Sequence, residues 1–416
     1  MKESGIDWIG QIPEEWEMSK IRYLVTTRSE KRITDSSVPY IGLENIESQT
    51  GKFVKTGIQV DKSENIVVEI GDVLFGKLRP YLRKYWRATF TSTASSEFLV
   101  FQSSELDMNF LYYAIQSDSF IEEVNTSTYG SKMPRASWEY IKNMRIAFPT
   151  SLVEQQKIAD FLDKKTAQLD KVKALLEEQI QKLRDYRASL IYETVTKGLD
   201  KTVPMKDSGI DWIGQVPEGW GVIKFKYLGD VKQGLTYSPS DIVDKDEGIL
   251  VLRSGNIQNG ILDFNNNVYV KTKVAESIVL RKNDILITAR NGSPVLIGKN
   301  AIIDTDIKAT FGAFMMVFRA NKSLFAKFAF YLMNVSFNFY RTFFTTSTVN
   351  QLTAAIFNGI EVPLPSIYEQ KKITDFLDQK TVQIDKLIQI KNQQIENINK
   401  QRQTLIYDYV TGKRRV

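Results

Sequence analysis

Two stretches of the chain carry apolar residues at the seven-residue spacing of a coiled-coil helix. In the first, leucine recurs at every seventh position: Leu162, Leu169, Leu176, Leu183 and Leu190. The second keeps the same register, interrupted at Lys391: Leu377, Ile384, Ile398 and Leu405. Each stretch starts at an S-x-x-E capping box after a proline, and a glycine, Gly198 or Gly412, marks its end. The pattern predicts two long helices, over residues 151–203 and 366–416.

The rest of the chain alternates between short β-branched runs and short helical patterns. The runs that predict strands are Asn65–Ile70, Glu97–Phe101, Gly248–Leu252 and Asp284–Thr288. Two segments predict helices, Met108–Gln116 and Leu324–Asn334. We therefore expect two α+β domains, over residues 1–150 and 204–365, each followed by one of the long helices.

The chain is an internal duplication. Ser4–Trp16 recurs as Ser208–Trp220 with 11 of 13 residues identical, and Glu154–Asp170 recurs as Glu369–Asp385 with 12 of 17 identical. Between these anchors the two copies diverge, as expected for one scaffold that presents two different reading surfaces, although drift after duplication gives the same pattern. We expect the two helices to pair antiparallel with approximate two-fold symmetry. The alternative is that each helix packs only on its own domain.

Composition removes most catalytic chemistry from consideration. The 416 residues include no cysteine and no histidine, which excludes disulfides, zinc fingers, thiol nucleophiles and histidine-based triads or metal sites. Hydrophobic residues make up 43% and charged residues 25%, as in ordinary globular proteins. The amino terminus lacks the apolar segment of a secretory signal, and no apolar run approaches the roughly 20 residues of a membrane span. We therefore expect a soluble cytoplasmic protein.

Positive charge is concentrated locally, although the net charge is only +6. Gly76–Arg87 interleaves basic and aromatic residues without an acid, and Ile307–Ile360 contains no carboxylate. Such clusters suit a polyanion whose bases are also read, although a charge run is more often a solvated surface. With the turn Gly130–Arg135 and the polar segment Thr345–Gln351, they supply ten candidate DNA-binding residues, and the second copy adds Arg253, Arg290 and Asn291. The ten are Lys77, Arg79, Arg83, Lys84, Ser131, Lys132, Arg135, Arg341, Asn350 and Gln351.

Enzyme signatures are missing from the sequence. It contains no Pro-Pro dipeptide, which an adenine-methyltransferase loop requires, and no Pro-Asp dipeptide of a PD-type nuclease. Gly292–Asn300 resembles a phosphate-binding loop but has one residue too many and ends in Asn where Ser or Thr belongs. No local cluster of acidic residues argues for magnesium. We therefore assign no catalytic, cofactor-binding or metal-binding residue.

The chain resembles the specificity (S) subunit of type I restriction–modification systems over essentially its whole length. The resemblance rests on the W-I-G-x-x-P-x-x-W segment at Trp8–Trp16 and Trp212–Trp220, and on the E-Q-x-K-I-x-x-F-L-D helix starts. The elements Gly71–Phe75 and Lys77–Pro80 and the Gly-Ser turn at Gly130 support it. The second copy departs from the pattern: it lacks the Gly-Ser turn, and Ile287–Arg290 stands in place of Lys-Leu-Arg-Pro, which leaves Arg290 as the counterpart of Arg79.

The resemblance implies two target-recognition domains that each read one half of an asymmetric, gapped site in double-stranded DNA. The helices would hold these domains apart and bind two methyltransferase subunits. Restriction subunits, which translocate and cleave DNA, would then join this complex. S-adenosylmethionine, ATP and magnesium would be bound only by those partners. Roughly 46 helical residues give a helix about 69 Å long, which would set a distance of about 20 base pairs of DNA at most. Two rival hypotheses are a coiled-coil adaptor that binds no DNA and an autonomous DNA-modifying enzyme.

Overall fold

The computed structural model describes residues 1–34, 38–56, 63–130, 132–344 and 350–416. It divides into two compact units. The first unit comprises Met1–Glu178 and Lys391–Val416, and the second comprises Gln179–Ile390. None of the described helices is both long and apolar enough to cross a membrane.

Up to the end of the first long helix, the described residues form short strands, four short helices and the long helix itself. The strands are β1 (Lys2–Glu3), β2 (Gln11–Ile12), β3 (Trp16–Lys20), β4 (Thr26–Thr27), β5 (Lys31–Ile33), β6 (Tyr40–Ile41), β7 (Glu64–Val68), β8 (Val73–Gly76), β9 (Tyr85–Arg87), β10 (Ser92–Ala94), β11 (Phe98–Gln102) and β12 (Arg145–Pro149). The helices are α1 (Ile21–Leu24), α2 (Met108–Ala114), α3 (Asp118–Thr126), α4 (Trp138–Ile141) and α5 (Leu152–Lys197).

Two four-stranded sheets form the centre of the first unit. One has the order β4-β11-β8-β9 and is antiparallel throughout. The other has the order β5-β7-β10-β6, with β6 parallel to β10. Phe75 of β8 and Phe101 of β11 are buried in the core, where Phe75 meets Phe120 of α3 edge to face and Phe101 meets Trp138 of α4. The first sheet thus fixes the position at which the chain leaves β8.

Among the described residues, the second half has a related set of elements, with fourteen strands and three helices in place of twelve strands and five helices. Its strands are β13 (Met205–Asp207), β14 (Gln215–Pro217), β15 (Gly221–Lys224), β16 (Gly229–Gln233), β17 (Ile242–Val243), β18 (Ile249–Leu252), β19 (Ile257–Gln258), β20 (Ile261–Leu262), β21 (Val268–Val270), β22 (Ile285–Thr288), β23 (Asn300–Ile302), β24 (Ala309–Phe311), β25 (Met315–Ala320) and β26 (Glu361–Leu364). Its helices are α6 (Ala326–Tyr340), α7 (Ala354–Gly359) and α8 (Ile367–Val410).

The second unit keeps one sheet and rearranges the other. The sheet β16-β25-β22-β23 matches β4-β11-β8-β9 in order and direction. The sheet β17-β21-β18-β24 keeps one parallel pair, β18 with β24, but β21 adds beside β18, whereas β7 adds beside β10 in the first unit. The four strands and two helices that the sequence predicts are all present, and α6 extends to Tyr340, beyond its predicted end.

Both long helices form where the heptads predict them. Helix α5 has 46 residues and α8 has 44. The Glu369 amide donates to the Ser366 hydroxyl at 3.3 Å, and the Ser366 amide donates to the Glu369 carboxylate at 3.2 Å, so the predicted capping box of α8 is complete. Gly198 and Gly412 follow the helix ends with φ of +72° and +70°, which favours glycine there.

Within each unit the helices pack against each other in antiparallel directions. In the first unit the rings of Phe161 and Tyr409 lie 4.5 Å apart, and Asp170 lies 3.9 Å from the buried Arg402. In the second unit Arg187 pairs with Asp385 at 3.2 Å, and the duplication relates this pair to the first. The carboxyl end of α8 joins the core of the first unit, so the alternative in which each helix packs only on its own domain is wrong.

A buried glutamine at each helix start joins the helix to its unit. Gln155 accepts from the Asp107 amide and donates to the Pro149 carbonyl, both at 2.8 Å. Gln370 accepts from the Phe325 amide at 2.7 Å and donates to two carbonyls at 3.0 Å. One residue earlier, Glu154 and Glu369 accept from the indoles of Trp16 and Trp220. The repeated E-Q and W-I-G-x-x-P-x-x-W motifs therefore form one contact, present in both units.

Candidate DNA interface

Two loops of the first unit are joined by backbone hydrogen bonds, and we call them its loop pair: residues 77–84 after β8, and residues 129–136. The Ala136 amide donates to the Lys77 carbonyl at 3.0 Å, and the Arg79 amide donates to the Pro134 carbonyl at 2.7 Å. Leu78 and Arg135 form an isolated β-bridge. The candidates from the basic cluster and from the Gly130 turn are therefore neighbours in the fold, except Ser131, which lies outside the described residues.

Three of these candidates are held by the protein itself. The Arg83 guanidinium pairs with Asp118, and the Lys84 ammonium donates to the Ile46 carbonyl at 2.6 Å. Arg135 binds Glu97 through Nε at 3.1 Å and Nη2 at 2.9 Å. Burial lowers the pKa of Lys84, and the hydrogen bonds to Glu97 raise the pKa of Arg135. These side chains shape the loops, and their charge is partly neutralised or shielded from solvent.

The other candidates of the first unit are Lys77, Arg79 and Lys132. Within the part of the chain that the structure describes, none of the three side chains forms a hydrogen bond or ion pair with another group. Arg79 has φ of +51°, stands before the single turn Pro80–Leu82, and has a buried Nε without a partner among the described residues. A buried guanidinium nitrogen without an acceptor is uncommon. Arg83 and Arg135 are paired with carboxylates, so Arg79 is the guanidinium of this loop pair that has no carboxylate partner among the described residues.

The loop pair of the second unit comprises residues 289–299 after β22 and residues 350–352. The Leu352 amide donates to the Ala289 carbonyl at 2.9 Å, and Arg290 and Gln351 form an isolated β-bridge. The Asn350 amide group donates to the Gly292 carbonyl at 3.4 Å. Four of the candidates, Arg290, Asn291, Asn350 and Gln351, thus lie in adjoining loops.

The remaining two candidates border the same loops. Arg341 donates to the Val295 carbonyl at 2.7 Å and to the Asn338 side chain at 2.9 Å. Arg253 donates to the Asn266 carbonyl at 3.2 Å, and its neighbour Ser254 accepts from Asn291 at 3.5 Å. The second unit therefore gathers cations and amides, which suit phosphate contacts and base-edge hydrogen bonds respectively.

Strand register aligns the two loop pairs and corrects one correspondence. Val73 pairs with Phe101 as Ile285 pairs with Phe318. At the end of β8, the Gly76 amide donates to the Lys84 carbonyl at 2.8 Å. At the end of β22, the Thr288 amide donates to the Lys299 carbonyl at the same distance.

Counted from these anchors, Arg290 occupies the place of Leu78, and Asn291 occupies that of Arg79. The expectation that Arg290 is the counterpart of Arg79 is therefore wrong by one residue, because backbone pairing and not residue identity fixes the position.

The same alignment reveals one residue that the sequence motifs did not indicate. Lys299 occupies the position of Lys84, and its ammonium lies 3.5 Å from the Ser254 carbonyl. Burial lowers the pKa of Lys299, as it does that of Lys84. The sequence could have indicated this correspondence, because Lys84 and Lys299 are separated by the same number of residues as Glu154 and Glu369 at the two helix starts.

The described residues contain no group of three or more acidic side chains arranged to hold a metal ion. The loop pairs instead offer guanidinium, ammonium and carboxamide groups on backbone fixed by strand and loop hydrogen bonds. This donor-rich arrangement suits contact with a polyanion.

Comparison with known proteins assigns the architecture to one family. The family model described as "Type I restriction modification DNA specificity domain" matches twice, at residues 13–182 and 217–400. The EcoKI specificity subunit of Escherichia coli is 32% identical over 206 residues, which cover 48% of this chain and 44% of that subunit. The MjaVIII specificity subunit of Methanocaldococcus jannaschii is 24% identical over 431 residues, covering 98% of this chain and 94% of that subunit.

Solved structures share the fold. A chain from "Structural basis underlying complex assembly and conformational transition of the type I R-M system" aligns over 96% of this chain and 98% of its own, with a TM-score of 0.74 at 18% identity. The HsdS subunit from Thermoanaerobacter tengcongensis aligns over 97% and 98%, with a TM-score of 0.52 at 17% identity.

Proposed function

The chain belongs to the family of type I restriction modification DNA specificity proteins, and on that premise we propose that it is the non-catalytic subunit that directs a methyltransferase and restriction complex to its DNA site. Residues 1–150 and 204–365 are the two recognition domains of this proposal, and residues 151–203 and 366–416 are the spacer helices. Each domain reads one half of an asymmetric, gapped site. The complex acts in the cytoplasm.

The observation that carries the proposal is the pair of matched loops. In each unit the last residue of one strand, Gly76 of β8 or Thr288 of β22, donates its amide to a lysine carbonyl. The residue that follows is hydrogen-bonded to the second loop of the pair. The backbone frame is the same, whereas the side chains on it differ: Arg79 in one unit corresponds to Asn291 in the other. Arginine prefers guanine or phosphate and asparagine prefers adenine, so one frame can address two different half-sites.

The helices suit a platform for two copies of one partner. Val172 and Leu175 of α5 are exposed, and the duplication places the exposed Leu387 and Ile390 of α8 at the same positions in the repeat. Two related apolar surfaces, one in each unit, fit two identical methyltransferase subunits. Restriction subunits then join this complex. S-adenosylmethionine, ATP and magnesium are bound by these partners in our proposal.

The helices also set the distance between the half-sites. The 46 residues of α5 extend about 69 Å at roughly 1.5 Å per residue. At about 3.4 Å per base pair this length corresponds to roughly 20 base pairs. It is an upper limit for the gap, because the recognition domains contact the helices along part of their length.

Co-expression with a methyltransferase subunit of the same system, in a host without its methylation, tests the proposal. Single-molecule sequencing of the host DNA would then reveal one gapped motif with a modified adenine on each strand. A control strain expresses the methyltransferase alone and leaves the motif unmodified. A stable complex that modifies no DNA would contradict the proposal and favour the adaptor hypothesis, and modification by this chain alone would favour an autonomous enzyme.

A further inference from the structure

Each loop pair contains a single helical turn that begins with proline and carries an apolar residue at its tip. In the first unit the turn is Pro80–Leu82, and in the second it is Pro294–Leu296. Both lie between the strand end and the matched lysine, Lys84 or Lys299, although the second loop is three residues longer than the first. The loop sequences around the prolines are otherwise unrelated.

The second residue of each turn points into solvent. Tyr81 is 51% exposed and Val295 is 72% exposed. In the described part of the chain, Tyr81 forms no ring contact and its hydroxyl forms no hydrogen bond. An exposed apolar side chain therefore stands at the tip of the turn in both copies.

The backbone beneath each tip is held firmly. In the first unit the Arg79 amide donates to the Pro134 carbonyl, and the Arg83 carbonyl accepts from the Gln49 amide at 3.0 Å. In the second unit Arg341 donates to the Val295 carbonyl itself. A tip fixed in this way loses little conformational entropy when it binds a ligand.

Basic residues adjoin both turns. Arg79 and Lys77 precede Tyr81, and the charge of Arg79 has no partner among the described residues. Arg290 precedes Val295, and Arg341 holds its carbonyl. An apolar tip beside basic residues matches duplex DNA, because cations bind the phosphates while an apolar group contacts the methyl group of thymine in the major groove.

We propose that Tyr81 and Val295 are specificity-determining residues, each of which packs against the C5-methyl group of one thymine in the half-site read by its unit. This inference rests on the function proposed above and deepens it. It predicts that each half-site contains an A·T pair at a fixed position, and that preference for this pair depends on one side chain. Each contact is independent of the other, because each belongs to a different unit.

The test uses the complex of this chain with its methyltransferase, and DNA carrying the motif found by methylation sequencing. Tyr81→Ala and Val295→Ala should each relax the motif at one A·T position, in one half-site only. Uracil in place of that thymine removes the methyl group, and should weaken binding of the parent complex about fourfold, the effect expected for one buried methyl-sized group. The same replacement should have no effect on the corresponding alanine variant.

The duplication supplies matched controls. Tyr23 and Tyr227 occupy equivalent positions, are 64% and 60% exposed, and each lies beneath the cation of the preceding residue. Tyr23→Ala and Tyr227→Ala should leave the motif and the uracil effect unchanged. Tyr81→Phe and Val295→Ile keep the apolar contact and should keep the motif.

The possible results separate the two proposals. If the parent complex yields a two-part motif but the alanine variants retain it, or if uracil affects the parent and the variants equally, the thymine contact is wrong and the function stands. If the parent complex has no two-part motif, the proposed function itself fails.

Discussion

Replacing Arg79 should remove one phosphate contact from the DNA complex. Its guanidinium has no partner among the described residues, and its backbone is held by the hydrogen bond that the Arg79 amide donates to the Pro134 carbonyl. Each phosphate that a protein neutralises adds about 0.9 to the log–log slope of binding against salt concentration. Arg79→Ala should therefore reduce the slope by about 0.9. At 0.1 M salt this reduction corresponds to about eightfold weaker binding, taking 1 M salt as the reference.

The assay is equilibrium binding of the methyltransferase-bound chain to its own site and to an unrelated duplex, between about 50 and 200 mM salt. Over this range the affinity of the parent should fall about 3.5-fold further than that of Arg79→Ala on either duplex. Arg79→Lys keeps the charge and should keep the slope. Arg22→Ala removes an exposed arginine that lies over the Tyr23 ring, outside the loop pair, and controls for net charge. Equal slopes for the parent and Arg79→Ala would refute the phosphate contact.

Four further predictions address other parts of the protein. Gln351→Ala should relax the motif at one base of one half-site, at a cost of about 1–3 kcal/mol, whereas an unchanged motif would remove Gln351 from the interface. Gln370→Ala should destabilise the second unit by about 3 kcal/mol, because it leaves buried backbone groups without hydrogen-bond partners. As a control, Gln393→Ala on the exposed face of α8 should leave the melting temperature unchanged. Gly412→Ala should lower the melting temperature more than Gly209→Ala, since both glycines have φ near +70° but only at Gly412 would an added Cβ clash with another residue, the ring of Pro13. One heptad added to each long helix should widen the gap in the DNA motif by about three base pairs, as measured by methylation sequencing. An unchanged gap would contradict the proposal that the helices set the distance between the half-sites.

The long helices were predictable from sequence because their signals are local and repeated. Heptad leucines, capping boxes and terminal glycines each depend on neighbours within a few residues. The strands β7, β11, β18 and β22 were predictable for the same reason. The sequence also predicts the antiparallel pairing of the helices, because the duplication requires two equivalent apolar seams.

The interactions that order the site were not predictable, because they depend on pairing between distant segments. Gln155 and Gln370 look like ordinary polar residues at a helix start, and only the fold shows that they are buried. The buried Arg402 in α8 interrupts an apolar seam and pairs with Asp170 on the other helix. The counterpart of Arg79 was misplaced by one residue because the loops differ in length, and only strand register aligns them.

The candidate DNA-binding residues remain predictions, and the structure sharpens them. It brings together residues that are far apart in sequence, such as Lys77 with Arg135 and Arg290 with Gln351. It also separates side chains held by internal partners from those available to a ligand. Composition could indicate a polyanion-binding surface, but the available charges depend on partners such as Glu97 and Asp118, which the sequence places far away.

Binding of the methyltransferase-bound chain to a set of altered sites tests the central claim, that each unit reads one half of a two-part site, most directly. The set contains the site found by methylation sequencing, the same site with either half scrambled, and sites whose gap is one or two base pairs longer or shorter. Scrambling either half should weaken binding by at least about a hundredfold, since each mismatched pair costs about 1–3 kcal/mol, and altering the gap should weaken binding with both halves intact. Full affinity for a site with one half scrambled, or with any gap, would contradict the claim.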